Sequence, residues 1–179
     1  MILLNQLIKS IFEMGNCIKM NRTLIECDND IPYFDLKGNC YDAKVVDVYD
    51  GDTCNIVIMF NGHLTKFKMR SNGYDSPEMK PPKSDEMRDK IIDSAIKSRN
   101  YFISRITNCS IEIDKHYTKK EIKDLLKLNT KVVKIFSVGW DKYGRLLGEI
   151  VVDKVNINSE MINKGYGYQY DGGKKENFI

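Results

Sequence analysis

The chain lacks any apolar run approaching the 18 or so residues that a membrane span needs, and Lys9 and Glu13 interrupt its apolar start. That argues against a spanning helix and against a secretory leader; residues 3–12 read instead as a short amphipathic helix. It also lacks a CxxC or CxxxC pair. Its five cysteines (Cys17, Cys27, Cys40, Cys54 and Cys109) therefore offer no zinc-binding spacing. Their odd number points to reduced thiols and an intracellular, reducing compartment, the alternative being a secreted chain with two disulfides and one spare thiol. Histidine is nearly absent; His63 beside a turn and His116 in a polar loop are expected bystanders. There is no internal repeat or low-complexity segment, and the net charge of +3 permits a polyanion partner without arguing for one. One acylation pattern is incomplete. If translation began at Met14, Gly15 and Cys17 would present acceptor sites for a membrane anchor, but Lys19 stands where a Ser or Thr belongs.

What is present suits one domain with an appendage. At 179 residues such a chain buries roughly 70% of its unfolded surface and needs no staple. Residues 1–40 show no sustained period and read as an N-terminal arm; 41–170 read as the folded domain; 171–179 read as a tail. Residues 43–49 form a β-branched strand closed by Asp50-Gly51-Asp52, and residues 53–60 alternate with Cys54, Ile56, Ile58 and Phe60 on one face. Asn61-Gly62 is a strong two-residue hairpin signal, so three strands in succession form an antiparallel meander. Pro81-Pro82-Lys83-Ser84 then forbids regular structure.

Beyond it, Ile92, Ala95, Ile96, Arg99, Phe102, Ile103 and Ile106 recur at helical spacing. A short strand is predicted at 110–113. Thr118 and Glu121 have capping-box spacing for a small helix, strands are predicted at 131–138 and 146–152, and a last helix at 158–164 stops at Gly165. A meander closed by later strands with a helix plugging one end predicts an α+β, mainly β fold: a five-stranded OB-fold barrel with about three short to medium helices.

The chemistry gathers between Lys66 and Glu78. Phe67 and Met69 share one face of a strand, and Lys66, Lys68 and Arg70 share the other. Asn72-Gly73 breaks the strand, and Pro77 fixes the backbone between Asp75 and Glu78. A cation, two carboxylates and a rigid turn suit a phosphate-and-metal site, although a polar loop closing a hairpin accounts for the same residues.

Three blocks in order resemble the staphylococcal nuclease (thermonuclease) family over about residues 42–170: Val46-Asp47-Val48-Tyr49-Asp50-Gly51-Asp52-Thr53, then Met69-Arg70 with Gly73-Tyr74-Asp75-Ser76-Pro77-Glu78, then Asp141-Lys142-Tyr143-Gly144-Arg145. The resemblance implies that Asp52 and Asp75 bind a metal with the backbone carbonyl of Ser76. It implies Glu78 as the general base acting on water, and Arg70 and Arg145 as the grips on the scissile phosphate, stabilising a phosphorane-like transition state. The implied activity is Ca²⁺-dependent hydrolysis of DNA and RNA to 3′-phosphate ends, with Mg²⁺ the second choice of ion. Single strands are favoured, and a monomer with no protein partner is implied. Lys142 and Tyr143 resemble contacts to a terminal phosphate. Tyr168 and Tyr170, with Tyr166, either touch substrate or cover the barrel edge, and spacing does not decide which tyrosine matches.

Elementary physics agrees with the assignment. Converging carboxylates repel by about 4 kcal/mol per pair at about 4 Å in a dielectric near 20, which a divalent ion removes. Oxygen donors without nearby His or Cys suit Ca²⁺ or Mg²⁺ over zinc. Guanidinium forks meet phosphate oxygens bidentately. Asp50 is a turn residue or a support for the metal ligands, and Trp140 is expected to pack. Residues 118–131 read as an insertion relative to the secreted bacterial enzymes, and the chain ends where those continue into a long helix. The competing class is a non-catalytic OB-fold module that binds single-stranded nucleic acid.

Overall fold

The computed structural model describes residues 23–173, in two compact units divided between Phe34 and Asp35. In the first, residues 23–25 are helical and the Cys27 thiol donates to the Thr23 carbonyl at 3.2 Å. The helix expected at 3–12, the Gly15 and Cys17 pair and the end of the tail lie outside the described residues. Among the described residues, no helix is long and apolar enough to cross a membrane.

The second unit is built on the expected meander. Cys40–Val48 (β1), Thr53–Phe60 (β2) and His63–Ser71 (β3) pair antiparallel in sequence. Asn61 and Gly62 take φ of 48° and 79°, the two positive values a type I′ hairpin requires. Alternation puts Cys54, Ile56, Ile58 and Met69 inward, all buried. After a two-residue strand at Tyr74–Asp75 (β4), Val132–Trp140 (β5) and Leu146–Val152 (β6) pair with each other, and β5 pairs with β1.

Closure comes from β3 and β6, which run parallel over three pairs: Met69 with Leu146, Arg70 with Leu147 and Ser71 with Gly148. The result is a closed five-stranded barrel, as expected, extended at one edge by Val155–Asn156 (β7). The seam requires Gly148, because a Cβ there would come within 3.0 Å of both the Met69 methyl and the Phe136 carbonyl.

Arg88–Ile106 (α1) lays Ala95, Ile96, Phe102, Ile103 and Ile106 into the core. Lys119–Asn129 (α2) opens on the expected capping box: Thr118 Oγ accepts from the Glu121 N–H, and the Glu121 carboxylate accepts from the Thr118 N–H. It buries Ile122 and Leu126, one turn apart. Ile157–Asn163 (α3) is capped by the Asn156 side chain and stops at Gly165, whose φ is 74°. Phe102, Ile103 and Ile106 of α1, Ile122 and Leu126 of α2, and Ile157 and Met161 of α3 join the barrel interior in one continuous core, to which each fully buried aliphatic side chain contributes about 1.5–3 kcal/mol.

One expected strand is absent. Residues 110–113 form no ladder. Their hydrogen bonding goes elsewhere: buried Asn100 on α1 donates to the carbonyls of Glu112, Ile113 and Lys115 at 3.2, 2.8 and 2.7 Å. A β-favouring run has been captured by one amide. In the other direction, Tyr168–Gln169 (β8) forms an unexpected two-stranded sheet with β4, placing Tyr168 beside Asp75.

Candidate active site

Four segments meet at the end of β3. The turn 50–53 is fixed by Asp50, whose Oδ1 accepts from the N–H groups of Asp52 (3.1 Å) and Thr53 (2.7 Å). Asp50 thus fixes the turn, and its carboxyl also bonds to the Asp52 carboxyl, so both alternatives describe contacts that it makes. Close approach shapes the turn as well: a Cβ on Gly51 would collide with the Ser98 hydroxyl of α1, and the Gly51 carbonyl accepts from the Tyr74 hydroxyl at 2.6 Å. The Ser71 N–H donates to the Asp52 carbonyl at 2.8 Å, locking the turn to β3.

Asp52 and Asp75 then share one cation. Arg70 reaches the Asp52 carboxylate with one terminal nitrogen at 3.0 Å and the Asp75 carboxylate with the other. Asp52 also accepts from the Thr53 hydroxyl (2.8 Å) and the Ser76 N–H (3.3 Å), and Asp75 accepts from the Tyr168 hydroxyl (3.0 Å). The Tyr170 ring lies 5.7 Å from the guanidinium carbon of Arg70.

Asp50, Asp52 and Asp75 are all buried, and three carboxyls face one guanidinium. Burial raises the Asp52 carboxyl well above its usual range, the Asp50 charge adds to the rise, and Arg70 pulls the other way. Asp50 is raised as well, chiefly by burial. For Arg70, burial favours loss of the proton, but Asp52 and Asp75 outweigh it and the group is held more firmly charged.

This donor set, two converged carboxylates rich in oxygen with acid in excess of base, fits a hard divalent cation that keeps several waters. Among the described residues, no three His, Cys, Asp or Glu side chains form a ready cage. Any metal would thus rest on Asp52, Asp75, a backbone oxygen and solvent.

The remaining candidates sit around this cluster. Ser76 is buried beside Asp52, and Glu78 is exposed on the loop after β4. Arg145 precedes β6, two positions before the partner of Arg70 and on the same face of the sheet. Its guanidinium pairs with Asp141, which also accepts from the N–H groups of Tyr143 and Arg145, both at 2.8 Å. Partial burial would raise Asp141, but the hydrogen bonds from Arg145 win and hold it below the usual carboxylate range. Tyr143 is exposed, with Lys142 at 5.2 Å and Arg145 at 5.5 Å from its ring centre.

The C-terminal tyrosines separate cleanly. Tyr166 stacks on Tyr101 at 4.3 Å, whereas Tyr168 and Tyr170 reach the Asp75–Arg70 pair. Trp140 packs against Phe67, with ring centres 6.0 Å apart.

Two supporting residues escaped the sequence reading. Tyr74 stood inside a recognised block without a role, yet its hydroxyl holds the Asp52 turn. Buried Asn158 accepts from the Ile150 N–H and donates to the carbonyls of Asn72 and Gly148, pinning the loop between Arg70 and Asp75 to β6. No local signal marks an asparagine in a helix as a tie 86 residues away.

Comparison with known proteins gives one result. The family model described as staphylococcal nuclease homologue matches residues 68–178, which takes in every candidate from Arg70 to Tyr170 but begins after Asp52. No curated protein matches the chain. The structure supplies what the match leaves out, since Arg70 carries the Asp52 turn into the same cluster. The matched span exceeds half the chain and its barrel closes as described: the chain belongs to the staphylococcal nuclease family, with a nuclease or nucleic-acid-binding function.

Proposed function

We propose that the chain is a Ca²⁺-dependent nuclease that hydrolyses phosphodiester bonds of DNA and RNA and leaves 3′-phosphate ends. The observation that carries this reading is the convergence of Asp52 and Asp75, from two separate segments, on Arg70. Asp52, Asp75 and the Ser76 carbonyl would hold the ion. When bound, it supplies Lewis-acid polarisation of the phosphate and a site for the attacking water.

The chain's own residues do the rest. Arg70 and Arg145 stand on one face at the barrel seam, where two forks can meet the equatorial oxygens on which charge gathers in a phosphorane-like transition state. Glu78, exposed on the rigid Pro77 turn, takes the proton of the attacking water. Tyr168 steadies Asp75 through its hydroxyl. Lys142 and Tyr143, on the exposed turn beside Arg145, are placed to receive a neighbouring phosphate of a single strand.

The second reading is an OB-fold module that binds single strands without cutting. One observation favours it: both arginines already have carboxylate partners, Arg70 two and Arg145 one. Incubating single-stranded DNA with Ca²⁺, with Mg²⁺ and with chelator separates the two. Cleavage that needs Ca²⁺ and leaves 3′-phosphates supports the nuclease. Tight binding without cleavage under any ion replaces it with the binding module.

A further inference from the structure

Beside the Asp52–Arg70 cluster, on the outward side of β1–β3, lies an open cleft of about 250 Å³ lined by Asp47, Tyr49, Thr53, Cys54, Asn55 and Lys68. The strand register orders its surroundings into rows. Tyr49 hydrogen-bonds to Thr53, which pairs with Arg70; Asp47 pairs with Asn55, which pairs with Lys68; Lys44 pairs with Val57, which pairs with Lys66.

Alternation along β3 therefore sets Arg70, Lys68 and Lys66 in one line on the outer face, each about 6.8 Å from the next along the strand. That step is close to the phosphate spacing of an extended single strand. Lys66 and Lys68 are exposed, and neither has an ion-pair partner among the described residues. Tyr49 is half exposed at the mouth of the cleft, an aromatic face available to solvent. A row of cations beside an aromatic platform is how single strands are held without sequence readout. The Asp47 carboxylate in the cleft lining disfavours phosphate there, while Asp47 and Asn55 can pair with base edges.

We propose that this face is an extension track for single-stranded nucleic acid: the base next to the scissile position enters the cleft against Tyr49, and Lys68 and then Lys66 take the successive phosphates leading away from Arg70. The proposal rests on Arg70 as the grip on the scissile phosphate. It concerns one flank of the substrate, on the β1–β2 side of β3, whereas the Lys142–Tyr143 turn leads into β6 on the other side of β3.

The test is binding of fluorescein-labelled oligothymidylates of two and eight nucleotides, by anisotropy in chelator across a salt series. The wild-type chain and its Tyr49→Ala, Lys66→Ala and Lys68→Ala variants are compared, with Lys123→Ala on the exposed face of α2 as the control. The eight-mer should bind more tightly than the two-mer. Each lysine removed from the track should lower the slope of log K against log salt by about 0.7. Tyr49→Ala should weaken the eight-mer about tenfold with the slope unchanged, and Lys123→Ala should change nothing.

Equal slopes for all variants, or no advantage of eight nucleotides over two, would overturn the track. Cleavage is read separately, so a chain that binds in this pattern without cutting refutes the nuclease reading and leaves the track standing.

Discussion

Two arginines flank the barrel seam, and they are held in opposite ways. Arg70 draws its partners from 18 residues before and 5 residues after it, on a turn and a strand that meet only when the barrel is formed. Arg145 is paired within its own turn, to Asp141 four residues earlier. The Arg70 side carries three buried carboxyls against one guanidinium, whereas the Arg145 side carries one carboxylate against Arg145 and Lys142. One half of the site is short of positive charge and the other has it to spare. A bound cation would correct the first, and an anionic substrate would suit the second.

The sharpest way to break this contrast is Arg70→Lys. The substitution keeps the charge but loses the fork that spans Asp52 and Asp75, and turnover is expected to fall about 10³-fold in steady-state cleavage. A rate near wild type would refute the placement of the site. Glu78→Gln comes next. Turnover is expected to fall by about 10²-fold or more, while the barrel stays folded by far-UV circular dichroism.

Metal linkage tests the acid-rich half directly. Ca²⁺ at about 100 times its Kd should raise unfolding stability by about 2.7 kcal/mol in the wild type and much less in Asp52→Asn, measured by urea denaturation with and without the ion. Equal gains in both would place the ion elsewhere. Tyr168→Phe removes only a hydroxyl from Asp75 and should cost about 0.5–1.5 kcal/mol.

The smallest effect belongs to the balanced half. Asp141 is depressed in the folded state, so its contribution to stability is present above the ordinary carboxylate pKa and is lost as pH falls through the folded value. Asp141→Asn should lower stability at neutral pH by at most about 1 kcal/mol and flatten the acid limb, so that the two stability curves converge at low pH.

The contrast also explains what the sequence could reveal. Local chemistry was legible: the Asn61-Gly62 turn, the alternation of β2, the Thr118–Glu121 box and the Asp141 turn each depend on neighbours within a few residues. Features decided by partners far along the chain were not. The run at 110–113 has strand-like composition, but Asn100 takes its carbonyls. β4 and β8 hold two residues each, too few for any period, and pair because the barrel brings them together. The three C-terminal tyrosines are equivalent by spacing. Tyr166 is diverted by the Tyr101 ring, and that diversion leaves Tyr168 and Tyr170 to the site. The two aspartates were identifiable as candidates through the family resemblance, but their shared salt bridge to Arg70 was not.

The parallel seam is only three residue pairs long and lies between the two arginines, with Asn158 stitched across it. Short junctions detach before the longer ladders they close. On heating, Arg70 and Arg145 should therefore part while the meander and its helices remain folded. Cleavage would then be lost several degrees below the melting of secondary structure, reversibly on cooling, and an Asn158→Ala variant would widen that interval.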